Sequence, residues 1–359
     1  MPTIFTDTMT ESEIAYISEF ARTQIPGFQF DGSIESVEGG LLNHVFRLSG
    51  EPNSIIAKYT PPYVASNHEI PLDPGRQDLE AGALDLFRKN NLLFSLLTGY
   101  LRVPQLIAHD SERHILFMED AGPGTISLDQ LLHPESGDKK LGTVLGNFIA
   151  ELHAKTSGNT RLARSMNNTS IQKTRYMVQY QPSAHYFLKA GIADYESLGR
   201  QLELLGREFL RPGICLIMGD LWPRSLIWNG NSWYLIDWEF SHYGSPAQDT
   251  GHMLAHLWML EHRSADPKRA KRFTEIRNAY LETYQEKIEN LNPTLFATDI
   301  KKRAVLHAAA EILARTTGAF QDGYVYAGLE SDDPAVQEAV QKAADWVRNA
   351  ENTDLNLFD

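Results

Sequence analysis

The sequence predicts an α+β chain of two lobes, a small β-rich N-terminal lobe and a larger helical C-terminal one. Three observations lead there. Strand-like runs crowd the first third, helical periodicity fills most of the chain beyond Gly122, and a strand–turn–strand unit at 216–240 interrupts the helices. At 359 residues the chain is also long for a single core. The boundary is placed at 120, giving lobes 1–120 and 121–359.

Each element rests on local pattern. "TESEIAYISEFARTQ" has Thr10 and Glu13 at capping-box spacing and apolar residues at 14, 17, 20 and 21, which predicts a helix. "GSIESVEGGLLNHVFRLSG" predicts strand, glycine turn, strand, and "NSIIAKYT" a third strand with Lys58 near its end. "GRQDLEAGALDLFRKN" predicts a helix carrying Glu80, and "VPQLIAHDSERHILFMEDAG" two strands around a polar turn. Beyond the connection at 117–122, "KLGTVLGNFIAELHAKTS", "ESLGRQLELLGREFL", "AQDTGHMLAHLWMLEH", "PKRAKRFTEIRNAYLETYQEKIENL", "DIKKRAVLHAAAEILARTTGAF" and "PAVQEAVQKAADWVRNA" all carry helical patterns.

Composition narrows the function classes. Asp plus Glu number 46 against 33 Lys plus Arg, a net charge of −13, which argues against nucleic acid or an anionic membrane as partner. One cysteine, Cys215, rules out a disulfide framework or a cysteine zinc site. No apolar run is long enough for a bilayer, and the first residues lack a signal-peptide pattern, so a cytoplasmic protein is expected.

The stretch "LIMGDLWPRSLIWNGNSWYLIDWEF" carries the chemistry. Asp220 and Asp237 each follow an apolar run, and the turn "NGNS" predicts a hairpin that brings both to one mouth. Two carboxylates so placed call for a cation, and Mg2+ characteristically uses one or two carboxylates plus substrate phosphates. This is the layout of a kinase-type phosphotransfer site. Lys58 would meet the phosphates, Glu80 would hold Lys58, and Gly39 and Gly40 in "VEGGLLNHVF" would let the backbone approach them. Alone, each is an ordinary turn glycine, edge lysine, surface glutamate or capping aspartate. Their joint order along the chain is the signal.

On these residues the sequence resembles a known group. "MGDLWPRSLIW" and "LIDWEF" are similar to the paired motifs of the aminoglycoside phosphotransferase and choline kinase superfamily. Over roughly 33–345 the chain looks most like its methylthioribose kinases, with a likeness also to fungal hydroxytryptamine-type kinases. The resemblance implies a protein-kinase-like fold using ATP and Mg2+ on a hydroxyl-bearing small molecule. It implies Asp220 as catalytic base, and Asp237 as metal ligand joined by Glu239 and Ser225. Lys58 and Glu80 become the phosphate-positioning pair, with Asn43 grouped among the nucleotide-binding residues. Glu119 and Ala121 would offer backbone groups to adenine, and Asp249 would brace the catalytic loop.

The chain departs from the superfamily pattern at Met218, where histidine is usual, and at Ser225, where asparagine is usual but methylthioribose kinases carry serine. It departs from the methylthioribose kinases at "WPR" and at Ala314–Arg315, where that branch carries paired arginines. These positions bear on substrate. Trp222, Arg224 and Arg315 are the substrate candidates, against a core-plugging tryptophan and two arginines paired within the protein. His252 and His256, four apart, fit core histidines better than a zinc pair. The segment "MVQYQPSAHYFLKAGIADY" is expected to form a substrate wall. The first acceptor is 5-methylthioribose or a related sugar; an amino alcohol or hydroxyaryl amine is the second; a nucleotide-binding pseudokinase is the rival class. A protein kinase is excluded, since no "HRD", "DFG" or "APE" segment is present. The resemblance also allows a homodimer.

Overall fold

The structure is a computed structural model that describes residues 11–37, 42–131 and 138–352, with the side chains of 11, 138 and 352 left aside. Gly39 and Gly40 lie outside the described residues. The chain forms two compact units, one of Met1–Thr125 with Trp228–Glu239, the other of Ile126–Ile227 with Phe240–Asp359. A single cut at 120 leaves out the return at Trp228–Glu239, which brings Asp237 and Glu239 into the first unit.

The first unit opens with α1 (Glu11–Thr23), then β1 (Gln29–Ser36), β2 (His44–Glu51), β3 (Ile55–Tyr59), β4 (Tyr63–Val64) and β5 (Asn67–Pro71). Helix α2 (Arg76–Asp85), β6 (Leu101–Arg102), β7 (Leu106–Asp110) and β8 (Ile115–Glu119) come next. The strands β1-β2-β3-β8-β7 form a five-stranded antiparallel sheet. Ile55, Ala57, Phe117, Phe46 and Leu48 pack with Ile17 and Ala21 of α1 on one face, and Phe20 stacks on Phe117 at 4.7 Å. Side chains alternate along a strand, so Lys58 must leave β3 on the face opposite Ala57. There it meets α2, which Gln77 ties to the strand through Lys58 O (2.7 Å) and Thr60 Oγ1 (3.0 Å). The helix expected to reach Asn90 ends at Asp85; Asn90 itself sits at φ 72°. A strand at Trp233–Leu235 pairs in parallel with β6.

The second unit runs β9 (Ile126–Ser127), α3 (Asp138–Thr156), α4 (Thr160–Ser165), α5 (Thr169–Arg175), a π-helical run Tyr176–Tyr180, α6 (Ser183–Lys189) and α7 (Tyr195–Phe209). Then come β10 (Cys215–Ile217), β11 (Leu226–Trp228), whose last residue falls in the first unit, and β12, the Trp233–Leu235 strand already described there. The second unit resumes with β13 (His242–Gly244), α8 (Pro246–His262), α9 (Pro267–Leu291), α10 (Thr298–Thr316) and α11 (Pro334–Asn349). Three of these helices start alike: Ser245, Asp266 and Asp333 cap α8, α9 and α11 with their side chains, each followed by proline at the first helical position. No helix among the described residues is long and apolar enough to cross a membrane.

Helix α3 packs on α9 through two glycines. A Cβ on Gly142 would lie 2.4 Å from Ile276 O, and one on Gly146 2.6 Å from Tyr280 O. This close approach places His153 of α3 2.9 Å from the Tyr284 hydroxyl of α9. Gly146→Ala would force the helices apart. It should lower unfolding free energy by about 1–3 kcal/mol in urea titrations.

Candidate active site

In the first unit the site is an ion cluster around Lys58. Its Nζ is 3.1 and 2.9 Å from the two Glu80 oxygens, 3.0 Å from Asp237 Oδ1 and 3.3 Å from Glu239 Oε1. Arg76, on the α2 turn that precedes Glu80, donates through Nε to Glu239 Oε2 at 2.6 Å. Asn43 donates to Glu239 Oε1 (2.6 Å) and accepts from Arg76 Nη2 (3.1 Å). Lys58, Arg76, Glu80 and Glu239 are all buried, whereas the Asp237 side chain is 45% exposed. Asp237 also takes a left-handed φ of 63°, a conformation that costs energy and that aspartate tolerates better than most residues.

Two cations here face three carboxylates. Burial opposes the Lys58 charge, yet Glu239, Glu80 and Asp237 hold its pKa well above the ordinary value. Burial also raises Glu80; Lys58 pulls it down, Glu239 and Asp237 push it up, and the net places it at about 7. Burial works in the same direction on Glu239, but Lys58 and Arg76 overcome it and its pKa falls. Acids outnumber cations in the cluster, an excess met in part by the proton held on Glu80, and the half-exposed Asp237 is where a further cation would enter.

Several sequence-selected residues are engaged with the protein itself. Both Glu239 oxygens are taken by Lys58, Asn43 and Arg76, so this residue belongs to the lysine cluster rather than offering an open metal ligand. Asn43 serves the same cluster. The Glu119 N–H donates to Gln105 O (2.9 Å), and its carboxylate accepts from Arg102 Nη2 (2.8 Å) and the Tyr234 hydroxyl (3.0 Å). The Ala121 carbonyl accepts from Asn229 Nδ2 at 3.0 Å.

In the second unit Asp220 comes after β10 on a tightly held loop. Gly219 has φ 82°, and a Cβ there would lie 2.2 Å from Phe240 O, so only glycine fits. The buried Asp249 carboxylate accepts from the N–H groups of Met218 (2.8 Å) and Gly219 (2.9 Å), and from His153 Nε2 at 3.3 Å. Ser225 donates its hydroxyl to Asp220 O at 3.3 Å. With the loop so fixed, the Asp220 side chain is 17% exposed and Oδ1 accepts from Arg175 Nη2 at 2.5 Å.

Arg175 leads into a buried network. Its Nη1 donates to Gln179 Oε1 (3.2 Å) and lies 3.8 Å from Glu311 Oε2, to which Gln179 donates at 2.9 Å. Burial works against the Arg175 charge, and Asp220 and Glu311 outweigh it, so its pKa rises. Glu311 further meets His256 Nε2 (3.0 Å), Arg315 Nε (2.8 Å) and His252 Nε2 (3.7 Å). Arg315 lies 4.6 Å from the Trp222 ring centroid, beside Tyr324 and Phe320 at 5.3 Å each. Arg224 pairs with Asp129 at 2.9 Å. Trp222 thus stacks on a cation, but the cation is the chain's own.

Arg76, Arg175, Gln179 and Glu311 are not singled out by sequence pattern. Glu311 leaves a trace, a lone acid in the apolar run "AAAEILA". Arg175 in "IQKTRYM" and Arg76 in "PGRQD" resemble surface cations until the fold buries them.

A model of a phosphotransferase enzyme family matches residues 33–293. The chain is 27% identical to a methylthioribose kinase of Bacillus mycoides (strain KBAB4) over 358 residues, 89% of this chain and 88% of that protein. It is 25% identical to a 4-hydroxytryptamine kinase of Psilocybe cubensis over 270 residues, 70% of this chain and 73% of that one. Among solved structures, a choline kinase of Cryptosporidium parvum superposes with a TM-score of 0.54 at 12% identity, covering 95% of this chain and 96% of that one. The fold is therefore the protein-kinase-like α+β one expected from the sequence.

The buried histidines give the second unit a pH signature. Burial lowers His242 to about 4 and His252 to about 3, from an ordinary 6.5. Both are neutral in the fold and take up a proton on unfolding, so their stabilisation is complete above pH 6.5 and is lost as pH falls toward these values. The unfolding free energy from urea titrations should fall as pH drops from 7.5 to 5, by on the order of 1.4 kcal/mol per pH unit for each histidine below 6.5. In His252→Gln that dependence should shrink.

Proposed function

Since the chain belongs to the phosphotransferase enzyme family and is a small-molecule kinase, we propose that it transfers the γ-phosphate of ATP to a hydroxyl of a small sugar. The observation that carries this reading is the Lys58 cluster, where two buried cations face three carboxylates and the surplus charge falls on half-exposed Asp237. Asp237 would hold a Mg2+ ion, which supplies charge neutralisation for the phosphates when bound. Lys58, kept charged by its acids and directed by Glu80, would hold phosphate oxygens in place. Glu239, Asn43 and Arg76 keep that lysine from moving.

In the second unit Asp220 would accept the proton of the acceptor hydroxyl. Its Oδ1 is held by Arg175, and Oδ2 has no partner among the described residues, which leaves one oxygen for that hydroxyl. A loop braced at Met218 and Gly219 keeps the carboxylate where it is needed, and orientation of this kind is a large part of a phosphotransferase's rate.

The favoured acceptor is 5-methylthioribose or a related sugar. Around Asp220 the guanidinium groups of Arg175, Arg224 and Arg315 are matched by the carboxylates of Asp220, Glu311 and Asp129. These three acids are each met by a guanidinium, and the Trp222 ring carries Arg315. The methylthioribose kinase likeness spans 89% of the chain, further than that to the 4-hydroxytryptamine kinase. The latter keeps a hydroxyaryl amine as the second reading.

The test is Mg2+-dependent ADP release from ATP with methylthioribose, other pentoses, choline, ethanolamine, hydroxytryptamines and aminoglycosides. A sugar should stimulate turnover, and Asp220→Asn should lower kcat by about 10²- to 10⁴-fold. Stimulation by an amine alone would replace the sugar reading. ATP binding without turnover on any acceptor would make the protein a pseudokinase.

A further inference from the structure

Arg175 is nine-tenths buried, yet its guanidinium ends on the carboxylate that the proposed reaction uses to accept the hydroxyl proton. Burying a guanidinium is costly unless its donors are met. Here they are met on several sides: Asp220 Oδ1 at 2.5 Å, Gln179 Oε1 at 3.2 Å and Glu311 Oε2 at 3.8 Å, with the Phe240 ring 5.4 Å away. A single ion pair would leave the group free to swing. The second and third partners fix the plane of the fork, and with it the direction from which Asp220 is held.

The backbone is shaped for the same purpose. Helix α5 passes directly into the π-helical run, whose wider turn is closed by the Gln181 N–H bonding to Tyr176 O at 2.9 Å. π-Turns are rare and concentrate at functional sites. Arg175 immediately precedes this one and Gln179 lies within it, and both end on Glu311. Gln172 anchors the preceding turn to Phe209 O at 2.8 Å. Burial lowers the pKa of the histidines that also face Glu311, and Arg175 and Arg315 are its guanidinium partners.

We propose that Arg175, fixed by Gln179 and Glu311 across the π-turn, is a positioning residue that orients Asp220, holding Oδ1 so that Oδ2 is presented to the acceptor hydroxyl. The inference rests on the reading of Asp220 as the proton acceptor. It assigns to the segment Thr169–Tyr180, whose last residues open the run expected from sequence to form a substrate wall, the task of aiming the carboxylate. Lysine at 175 would supply the charge without the planar fork, and glutamine would supply neither.

Two measurements test it. The first is kinetic: ADP release from MgATP with 5-methylthioribose, and with water as sole acceptor, for wild type, Arg175→Lys, Arg175→Gln and Gln179→Met. We expect kcat to fall about 100-fold in Arg175→Gln and less in Arg175→Lys, with KM for ATP within about twofold of wild type. Gln179→Met, which leaves the guanidinium present but less constrained, should lie between wild type and Arg175→Lys. A loss of folding alone would lower kcat for both acceptors in proportion to folded protein and would show no rescue by lysine. The second measurement needs no acceptor: crystal structures of Arg175→Lys and Arg175→Gln, in which Asp220 should turn from its wild-type orientation, further in the glutamine variant. If Asp220 keeps its place in both variants, or kcat stays within twofold, the proposal is overturned. Absence of turnover in the wild type would remove the sugar acceptor, while the crystallographic comparison would still decide whether Arg175 positions Asp220.

Discussion

A buried cation cannot stand alone, and Lys58 is the place where that constraint organises the first unit. β-Strand alternation sends its side chain off the sheet face opposite the α1 core, into a region where water is excluded. Everything near it answers that charge. Helix α2 is tied to β3 by Gln77 and delivers Glu80; the returning chain delivers Asp237 and Glu239; Arg76 and Asn43 then complete Glu239. Removing either cation would leave buried carboxylates uncompensated, which costs about 3–5 kcal/mol. The cluster is therefore as much a condition of folding as of function. Of its acids, Asp237 is the one that solvent can reach.

The second unit obeys the same rule with a different balance. Around Asp220, three acids and three guanidinium groups face one another, from Asp220 and Arg175 through Glu311 and Arg315 to Arg224 and Asp129. Hydrogen bonds from Asp249 pin the loop before Asp220, and helix contacts as close as those at Gly142 and Gly146 set the position of His153 beneath it. The two balances suit two tasks. A unit with an accessible acid suits a metal-bearing nucleotide, and a firmly braced carboxylate paired with a guanidinium suits an uncharged hydroxyl.

Much of this was legible in the sequence, for identifiable reasons. Strand alternation and helical periodicity are local, so β1 to β3, β7, β8 and the long helices could be placed directly. Lys58, Glu80, Asp220 and Asp237 stood out because charged residues next to apolar runs are uncommon and their order along the chain was informative. The roles of Glu239 and Asn43 were harder to read. Nothing local tells that Arg76 will occupy Glu239 from 163 residues away. Arg175 was hidden for the same reason, its meaning depending on Asp220 and Glu311, 45 and 136 positions distant in sequence. The end of α2 at Asp85 escaped because "ALDLFRKN" keeps good helix formers beyond the point where the helix stops.

The central claim is that the first unit carries a built-in cation deficit at Asp237 that a metal–nucleotide complex fills. Calorimetric titration of ATP, with Mg2+ and with the metal chelated, addresses it most directly. The account predicts binding at least about tenfold tighter with Mg2+, and loss of that gain in Asp237→Asn. Equal affinity with and without the metal, or no binding of ATP in either condition, would contradict it.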